Sequence, residues 1–587
     1  MSPEAEAGPV KDEPGGPATL RPDRAPTRVR TARFAIALVV VASLPVLAGV
    51  AERLNDGWQP QGDEAVIAWL TRDVLTSDSP LLGMPTTIGH TADDDAEVSP
   101  PHHWGPMQFW VLAVPQRLAS DNPAGLQAGL LAFEVATVAG IVVFALRRSG
   151  RLGTLALLVP LTAAMWSLGR TTLSSIWNPD VSLLPLAFLL VTVWSLAEGD
   201  SAALPFAAVA ASFVAQSNIL YTPLVAVLVA WGAAGFAISR RESHDGDGDD
   251  GGGRTRLRRP IVATCVVLLV CWGSVLIEEI ANRPGNVERV LQHALDEGGD
   301  HVGLTRATHV LARAVGGVPF WSHPLDSDRA ALGLLARPSL ATATLAIGLG
   351  VLMLTVFVRA WRRDPRGRAL LGTALCGLAG STLTTARLPL SFGVPPYRLR
   401  SFWITGSFAL FAVAWVAGRR LAPMVTGAPL ARARRLVPAG LAIALVAFAT
   451  LGAAGRGQTP ATRDASAIVD DLARTAAADL PDDGPYLAIK NVSPLRGIAT
   501  GVLWGLERRG IDIRFPDEAD SFAETYLSDL HGADGQSMPR LVLIDNASGY
   551  EPRDGERLVA HVEGSARRDD LIATLGNRSA ARSPTTP

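Results

Sequence analysis

"FAIALVVVASLPVLAGVAERLNDGWQPQGDE", residues 34–64, opens with an apolar run over 34–51 and closes on two adjacent carboxylates, Asp63 and Glu64. As a helix the run is about 27 Å long, close to the roughly 30 Å of a bilayer's hydrocarbon core. Basic residues precede it, as in a signal peptide. No small-residue cleavage site follows cleanly and many apolar runs succeed it, so it reads as an uncleaved first span. Working outward, comparable runs fall near 126–146, 153–169, 181–197, 203–216, 219–238, 261–280, 339–358, 369–385, 402–418 and 437–454. The fold expected is an α-helical polytopic membrane protein of about eleven spans.

Composition agrees. The chain has 587 residues, 48% hydrophobic and only 18% charged, with a net charge of −2. That balance excludes an average soluble enzyme and offers nothing to nucleic acid. Lys11 and Lys490 are the only lysines, so the basic complement is almost wholly arginine. Cys265, Cys271 and Cys376 lie within apolar runs at no metal-ligand spacing and read as small buried residues.

Charge asymmetry orients the chain. The segment "WGPMQFWVLAVPQRL", 104–118, is apolar but short and carries Pro106 and Pro115. If it lies on the surface or re-enters, the basic clusters at 147–151, 239–260, 359–368 and 418–435 share a side with the N-terminal tail. The positive-inside rule then sets the N-terminus in the cytoplasm and the C-terminus outside. Residues 1–33 read as a disordered cytoplasmic tail and 34–455 as the membrane domain. The loop 52–125, the other outward loops and 456–587 face the extracytoplasmic side. In that last region "DASAIVDDLARTAAADL", "PYLAIK", "PLRGIATGVLWGLERRG", "IDIRF" and "RLVLID" alternate helical and strand-like patterns. They predict a small α/β domain over about 460–572, with a disordered C-terminal end.

The unusual polar residues gather in the outward segments. "WQPQGDEAVIAWLTRDVL", 58–75, places Val66, Ile67, Trp69, Leu70 and Val74 on one side of a helix. This predicts an interfacial helix along the outer leaflet, with Trp69 at headgroup level. Asp63 is then either its N-cap or a general base at the membrane surface, roles that are compatible. "PPHHWGPMQFW" supplies His102 and His103, as ligands, phosphate contacts or simple loop residues; Trp104, Phe109 and Trp110 read as interfacial anchors. "IWNPD" supplies Trp177 and Asn178, a pair able to stack on and hydrogen-bond a sugar, and Asp180. Gln216 and Asn218 interrupt apolar sequence, as cavity-lining or turn residues do. "NRPGN" and "YRLRSFW" bring Arg283, Asn286, Tyr397, Arg398 and Arg400. Outward arginine opposes the usual bias, so each needs either a loop carboxylate or a lipid phosphate as partner.

The acid pair "GDE" after the first span, the downstream "HHWGPMQFW", and "IWNPD", "QSN", "NRPGN" and "YRLRSFW" resemble the GT-C superfamily of polyprenyl-phosphate-sugar glycosyltransferases. Within it they look most like actinobacterial relatives of the dolichyl-phosphate-mannose–protein mannosyltransferases, over about residues 30–455. "HHWGP" departs from the commoner His-Pro-Pro/Gly pattern, and the adjacent Glu64 leaves the base assignment interchangeable. The resemblance implies that Asp63 is the base and that a polyprenyl-phosphate sugar is the donor. The product would be a glycoside formed outside the plasma membrane, typically with inversion, on a glycan, lipid or protein of the envelope. Outward cations such as Arg398 and Arg400 would stabilise the departing phosphate. Some relatives use a divalent metal at the acid motif. No second carboxylate cluster accompanies it here, and the run Asp93, Asp94, Asp95 reads as a solvated turn, so no metal or other cofactor is assigned. The competing class is a transporter or flippase for a lipid-linked precursor. That class calls for ionisable residues in mid-span, of which Glu134 is the plainest, and for inverted repeats.

Overall fold

A computed structural model describes residues 25–86, 101–244, 252–296, 300–325, 333–390, 393–422, 428–481, 484–491, 497–516, 532–533, 538–545, 556–562 and 571–576. Asp93, Asp94 and Asp95 lie outside these residues.

Helix α1 (Ala25–Asn55) is the first span, and α2 (Asp63–Asp73) and α3 (Met107–Leu118) follow it. The long α4 (Pro123–Leu168) is two helices joined at Gly150, whose φ of 66° breaks the helical path. Next come the short α5 (Arg170–Leu173) and α6 (Asn178–Val181), then α7 (Leu183–Ala197), α8 (Leu204–Ser217), α9 (Thr222–His244) and α10 (Gly252–Ala281). After α11 (Asn286–Asp296) and α12 (Gly303–Val315), the bundle is completed by α13 (Leu340–Arg363), α14 (Pro365–Ala386), α15 (Ser401–Leu421) and α16 (Ala428–Ala454). Among the described residues nine helices are long and apolar enough to cross a membrane. Counting α4 as two and adding the shorter α8 gives the eleven apolar segments expected from the sequence.

Position in the bundle decides what each helix covers. The segment Asn178–Ala197 is 94% buried within the protein, while Leu340–Arg363 is 6% buried, so α7 is the central post and α13 turns its apolar surface to lipid. Hydroxyls inside the bundle return their protons to their own helix. Thr162 donates to the carbonyl of Leu158, Thr192 to that of Phe188 and Thr373 to that of Ala369. In an apolar interior that answers the demand that every buried donor find an acceptor.

The C-terminal region builds a six-stranded sheet in the order β3-β2-β1-β4-β6-β5. Its strands are β1 (Tyr486–Asn491), β2 (Ile513–Pro516), β3 (Gly532–Ala533), β4 (Arg540–Asp545), β5 (Glu556–Val562) and β6 (Leu571–Gly576). β3, β2, β1 and β4 run parallel, and β6 and β5 continue antiparallel. Helices α17 (Pro460–Asp479) and α18 (Ile498–Glu507) accompany the sheet. Strands β1, β2 and β4 match the three strand-like runs read in the sequence; β5 and β6 extend past them.

Helix α2 is not an interfacial helix against lipid. Ala65 to Thr71 are all buried, in a core shared with α3, α17, α18 and the sheet. Trp69 is fully buried, edge-on to Trp504 at 5.5 Å and to Phe515 at 5.8 Å, and its indole N–H donates to Glu507. Arg72 pairs with the same Glu507 at 2.8 Å. A helical stripe of apolar residues states that one side is covered, and it reads alike whether lipid or protein covers it. Trp104 and Phe109 are likewise turned into protein: Trp104 donates to the Thr222 hydroxyl at 2.8 Å, and Phe109 is buried. Helix α3 spans twelve residues, about 18 Å, too short to cross a hydrocarbon core, as its sequence implied.

Candidate active site

Asp63 does not cap its helix. Gly62 is the N-cap, with φ 51° and ψ −127°, and no side chain bonds the first turn. Its backbone N–H donates to the carbonyl of Gly497 at 2.9 Å, fastening the head of α2 to the head of α18. Both glycines sit at positive φ, and a Cβ on Gly497 would lie 2.8 Å from Gly62 Cα. Only glycine suits such a crossing. Ser466 of α17 reinforces it, accepting from the Gln59 N–H at 3.3 Å and the Gln61 amide at 3.2 Å.

From that anchored turn the two carboxylates diverge. Glu64 faces inward, takes both oxygens to Arg53 at 3.0 and 3.3 Å, and accepts the Ser175 hydroxyl at 3.0 Å. Asp63 opens onto a cavity, where its Oδ2 accepts the indole N–H of Trp177 at 2.8 Å. Asp63 is exposed to the cavity, yet protein surrounds it. Burial pushes its carboxyl above the ordinary aspartate range; the Trp177 N–H pulls the other way, and the charge of Glu64 adds to the rise.

The cavity draws its wall from seven stretches of chain: Asp63; Met84, Pro85 and Thr86; His103; Trp177, Asn178 and Pro179; Asn218, Ile219 and Leu220; Pro389; and Tyr397 and Arg398. Residues 83–86 and 101–103 pair antiparallel, Gly83 N–H to His103 O at 3.0 Å and His103 N–H to Met84 O at 2.8 Å. The His103 imidazole is thereby set with Nδ1 accepting the Ile219 N–H at 3.0 Å and Nε2 at 2.6 Å from the Asn178 side chain. With Nδ1 an acceptor, the ring's single proton sits on Nε2, and we therefore assign the Asn178 amide with its oxygen, in place of its nitrogen, toward the ring. That leaves the Asn178 NH2 for the cavity. Burial takes the His103 pKa down to about 3, so the ring stays neutral.

Opposite Asp63, the Tyr397 ring meets Trp177 edge to face at 4.6 Å. The Arg398 guanidinium lies 5.9 Å from the Tyr397 ring centre and donates to the Gly393 carbonyl at 3.3 Å. It is buried, and among the described residues its Nε has no partner and no carboxylate forms an ion pair with it. Its neighbour differs. Arg400 is paired with Asp180, itself buried, and does not line the cavity.

The remaining candidates sit behind the wall or away from it. Asn286 grips the His102 backbone from both sides, accepting its N–H at 2.8 Å and donating to its carbonyl at 3.1 Å. Gln216 is fully buried, donates to the Cys271 carbonyl at 2.7 Å and packs against Gly105. Arg283 is exposed and off the cavity wall. Among the described residues no three His, Cys, Asp or Glu side chains gather as a metal-holding group. Sequence reasoning missed Arg53, Ser175 and Gly497, which hold the acid pair. A lone arginine ending a span, a serine and a glycine in a distant region carry no spacing signal.

No family model matches the chain, and no curated protein matches it. Among solved structures, ArnT from Cupriavidus metallidurans bound to undecaprenyl phosphate is similar, with a TM-score of 0.50 and 14% identity. The match covers 94% of this chain and 98% of that one. The apo state of the same protein gives 0.49 and 14%, over 93% and 98%. The likeness is one of fold: a multi-span helical bundle followed by a small sheet-bearing region.

Proposed function

We propose that the chain is a membrane glycosyltransferase that moves a sugar from a polyprenyl-phosphate donor to an envelope glycan, lipid or protein. The observation that carries the reading is that Asp63 and Arg398 line one cavity. A carboxylate of raised pKa and a cation without a carboxylate partner among the described residues are the two charges such a transfer asks for. Fold likeness to a protein crystallised with undecaprenyl phosphate supports the donor class. The acid pair and "HHWGPMQFW" favour the protein-mannosyltransferase branch. The positive-inside bias favours a plasma-membrane protein with its N-terminus in the cytoplasm and the cavity outside.

In the reaction, Asp63 takes the proton of the acceptor hydroxyl. The oxygen attacks the anomeric carbon from the face opposite the phosphate, and the bond from that carbon to the phosphate oxygen breaks. Inversion follows. The leaving polyprenyl phosphate gains negative charge as the bond lengthens, and Arg398 stabilises it. A general base supplies about 10²–10⁴-fold of such a rate. Trp177 holds the base; Trp177 and Tyr397 offer aromatic surface to the sugar, and the Asn178 NH2 and Asn218 offer it hydrogen bonds. Glu64 positions the motif through Arg53 and takes no part in the chemistry.

The test is transfer of label from radiolabelled polyprenyl-phosphate sugars in membranes with and without the chain. Chain-dependent incorporation into acceptor, with release of polyprenyl phosphate, is the expected result. Chain-dependent movement of the intact lipid-linked sugar across the bilayer, with no cleavage, would replace the transferase with the transporter reading.

A further inference from the structure

At the end of the bundle remote from Asp63 lies a second cavity, of about 240 Å³. Helices α6 and α7, which follow one another over Asn178–Ala197, measure the distance: from Asn178 on the first cavity's wall to Trp194 on the second is about 24 Å of helical rise. The second cavity is bounded by Arg148 at the Gly150 turn, Trp194 and Glu198 at the end of α7, Arg366 at the start of α14, and Trp415 and Arg419 near the end of α15.

Its charges do not balance. Glu198 is committed, accepting the Trp194 indole N–H at 2.7 Å and Arg148 at 3.3 Å. Asp200 is committed to Arg148 at 2.9 Å and Arg147 at 3.0 Å. Asp364 caps α14 through the Gly367 N–H at 2.9 Å, and Arg419 and Arg420 reach it only at 3.6 and 3.7 Å. Arg366 is exposed and has no ion pair with any described carboxylate. Among the described residues five guanidiniums thus face three carboxylates, and the surplus falls at Arg366 and on the Arg419–Arg420 pair that shares Asp364, with Arg366 and Arg419 on the rim of a cavity whose floor is tryptophan. Four span ends meet here, which sets the cavity at headgroup depth of one leaflet. A phosphodiester with a glycerol backbone fits both halves: the anion to the arginine rim, the apolar part to Trp194 and Trp415. Anionic leaflets offer such a group at high local concentration.

We propose that this cavity is a binding site for the headgroup phosphate of an anionic phospholipid in the leaflet opposite the Asp63 cavity. The inference does not depend on the transfer reaction. It is tested on the full chain purified in detergent, by native mass spectrometry with added phosphatidylglycerol or phosphatidylcholine. Wild type is expected to keep phosphatidylglycerol over phosphatidylcholine by about tenfold. Arg366→Ala/Arg419→Ala is expected to lose that preference, while Arg241→Ala, an exposed arginine outside the cavity, keeps it. Inorganic phosphate should not displace the lipid. If the alanine pair does not purify, Arg366→Gln/Arg419→Gln removes the charge at similar length and is read the same way. An unchanged preference in the double variant would overturn the proposal, and so would displacement by inorganic phosphate alone, which marks a site for a soluble anion.

Discussion

The indole N–H of Trp177 donates to Oδ2 of Asp63 at 2.8 Å, across 114 positions of sequence, and joins the acid pair to the loop before the central helix. A donor to the ionised form lowers a carboxyl pKa, opposing the rise that burial imposes. Trp177→Phe keeps an aromatic ring and removes the donor. Asp63 should then hold its proton to higher pH. A base works only when deprotonated, so the acid limb of transfer rate against pH should move upward in the variant. A profile merely scaled down, with its limb in place, would deny that the contact tunes Asp63.

Glu64 and Arg53 form a mostly buried pair at 3.0 Å, with side chains 16% and 5% exposed. Glu64→Gln leaves Arg53 without its charge partner and should cost about 1–3 kcal/mol of stability. Transfer should survive within about tenfold at a temperature where the variant is folded. Melting and activity together check this, and loss of activity with unchanged melting would move Glu64 into the chemistry.

The glycine crossing makes a sharper mechanical test. In Gly497→Ala the new methyl meets Gly62 Cα and N at 2.8 Å, so the head of α2 must move. A loss of about 1–3 kcal/mol is expected, with a fall in transfer at saturating donor. Gly317→Ala serves as the control, because its φ is 76° but open space surrounds it. It should lose stability and keep its transfer rate once folded.

His103 supplies a pH dependence of stability. Its folded-state pKa, about 3, lies below the ordinary 6.5, so below pH 6.5 the unfolded chain takes up a proton that the folded chain refuses. The stability His103 gives is therefore present above pH 6.5 and lost as pH falls toward 3, by up to about 1.4 kcal/mol per pH unit. Melting at pH 7, 6 and 5 should fall faster for wild type than for His103→Gln, which has nothing to protonate. Parallel curves would mean that the ring is not held neutral.

Most of this architecture was legible because a bilayer demands long apolar helices, and residues 34–51 or 181–197 announce themselves by composition alone. Parts of the site were legible for a related reason. Asp63, Trp177, Asn178 and Arg398 are polar residues where apolar ones dominate, and the charge bias sets them all on one side. What the sequence left open was decided by partners distant along the chain. Arg398 and Arg400 look alike in "YRLR", and only Asp180 separates the paired one from the unpaired one. Asp63 and Glu64 are adjacent, and Arg53 and Ser175 decide which turns inward. Trp69 reads as a lipid anchor until Trp504 and Phe515 are placed against it.

The central claim is that Asp63 is the base of a sugar transfer. Its most direct measurement is single-turnover transfer from a labelled polyprenyl-phosphate sugar by purified wild type and Asp63→Asn, each with melting and donor binding recorded. The account predicts that the variant folds, binds donor, and transfers about 10²–10⁴-fold more slowly. Transfer at the wild-type rate by a folded Asp63→Asn protein would contradict it.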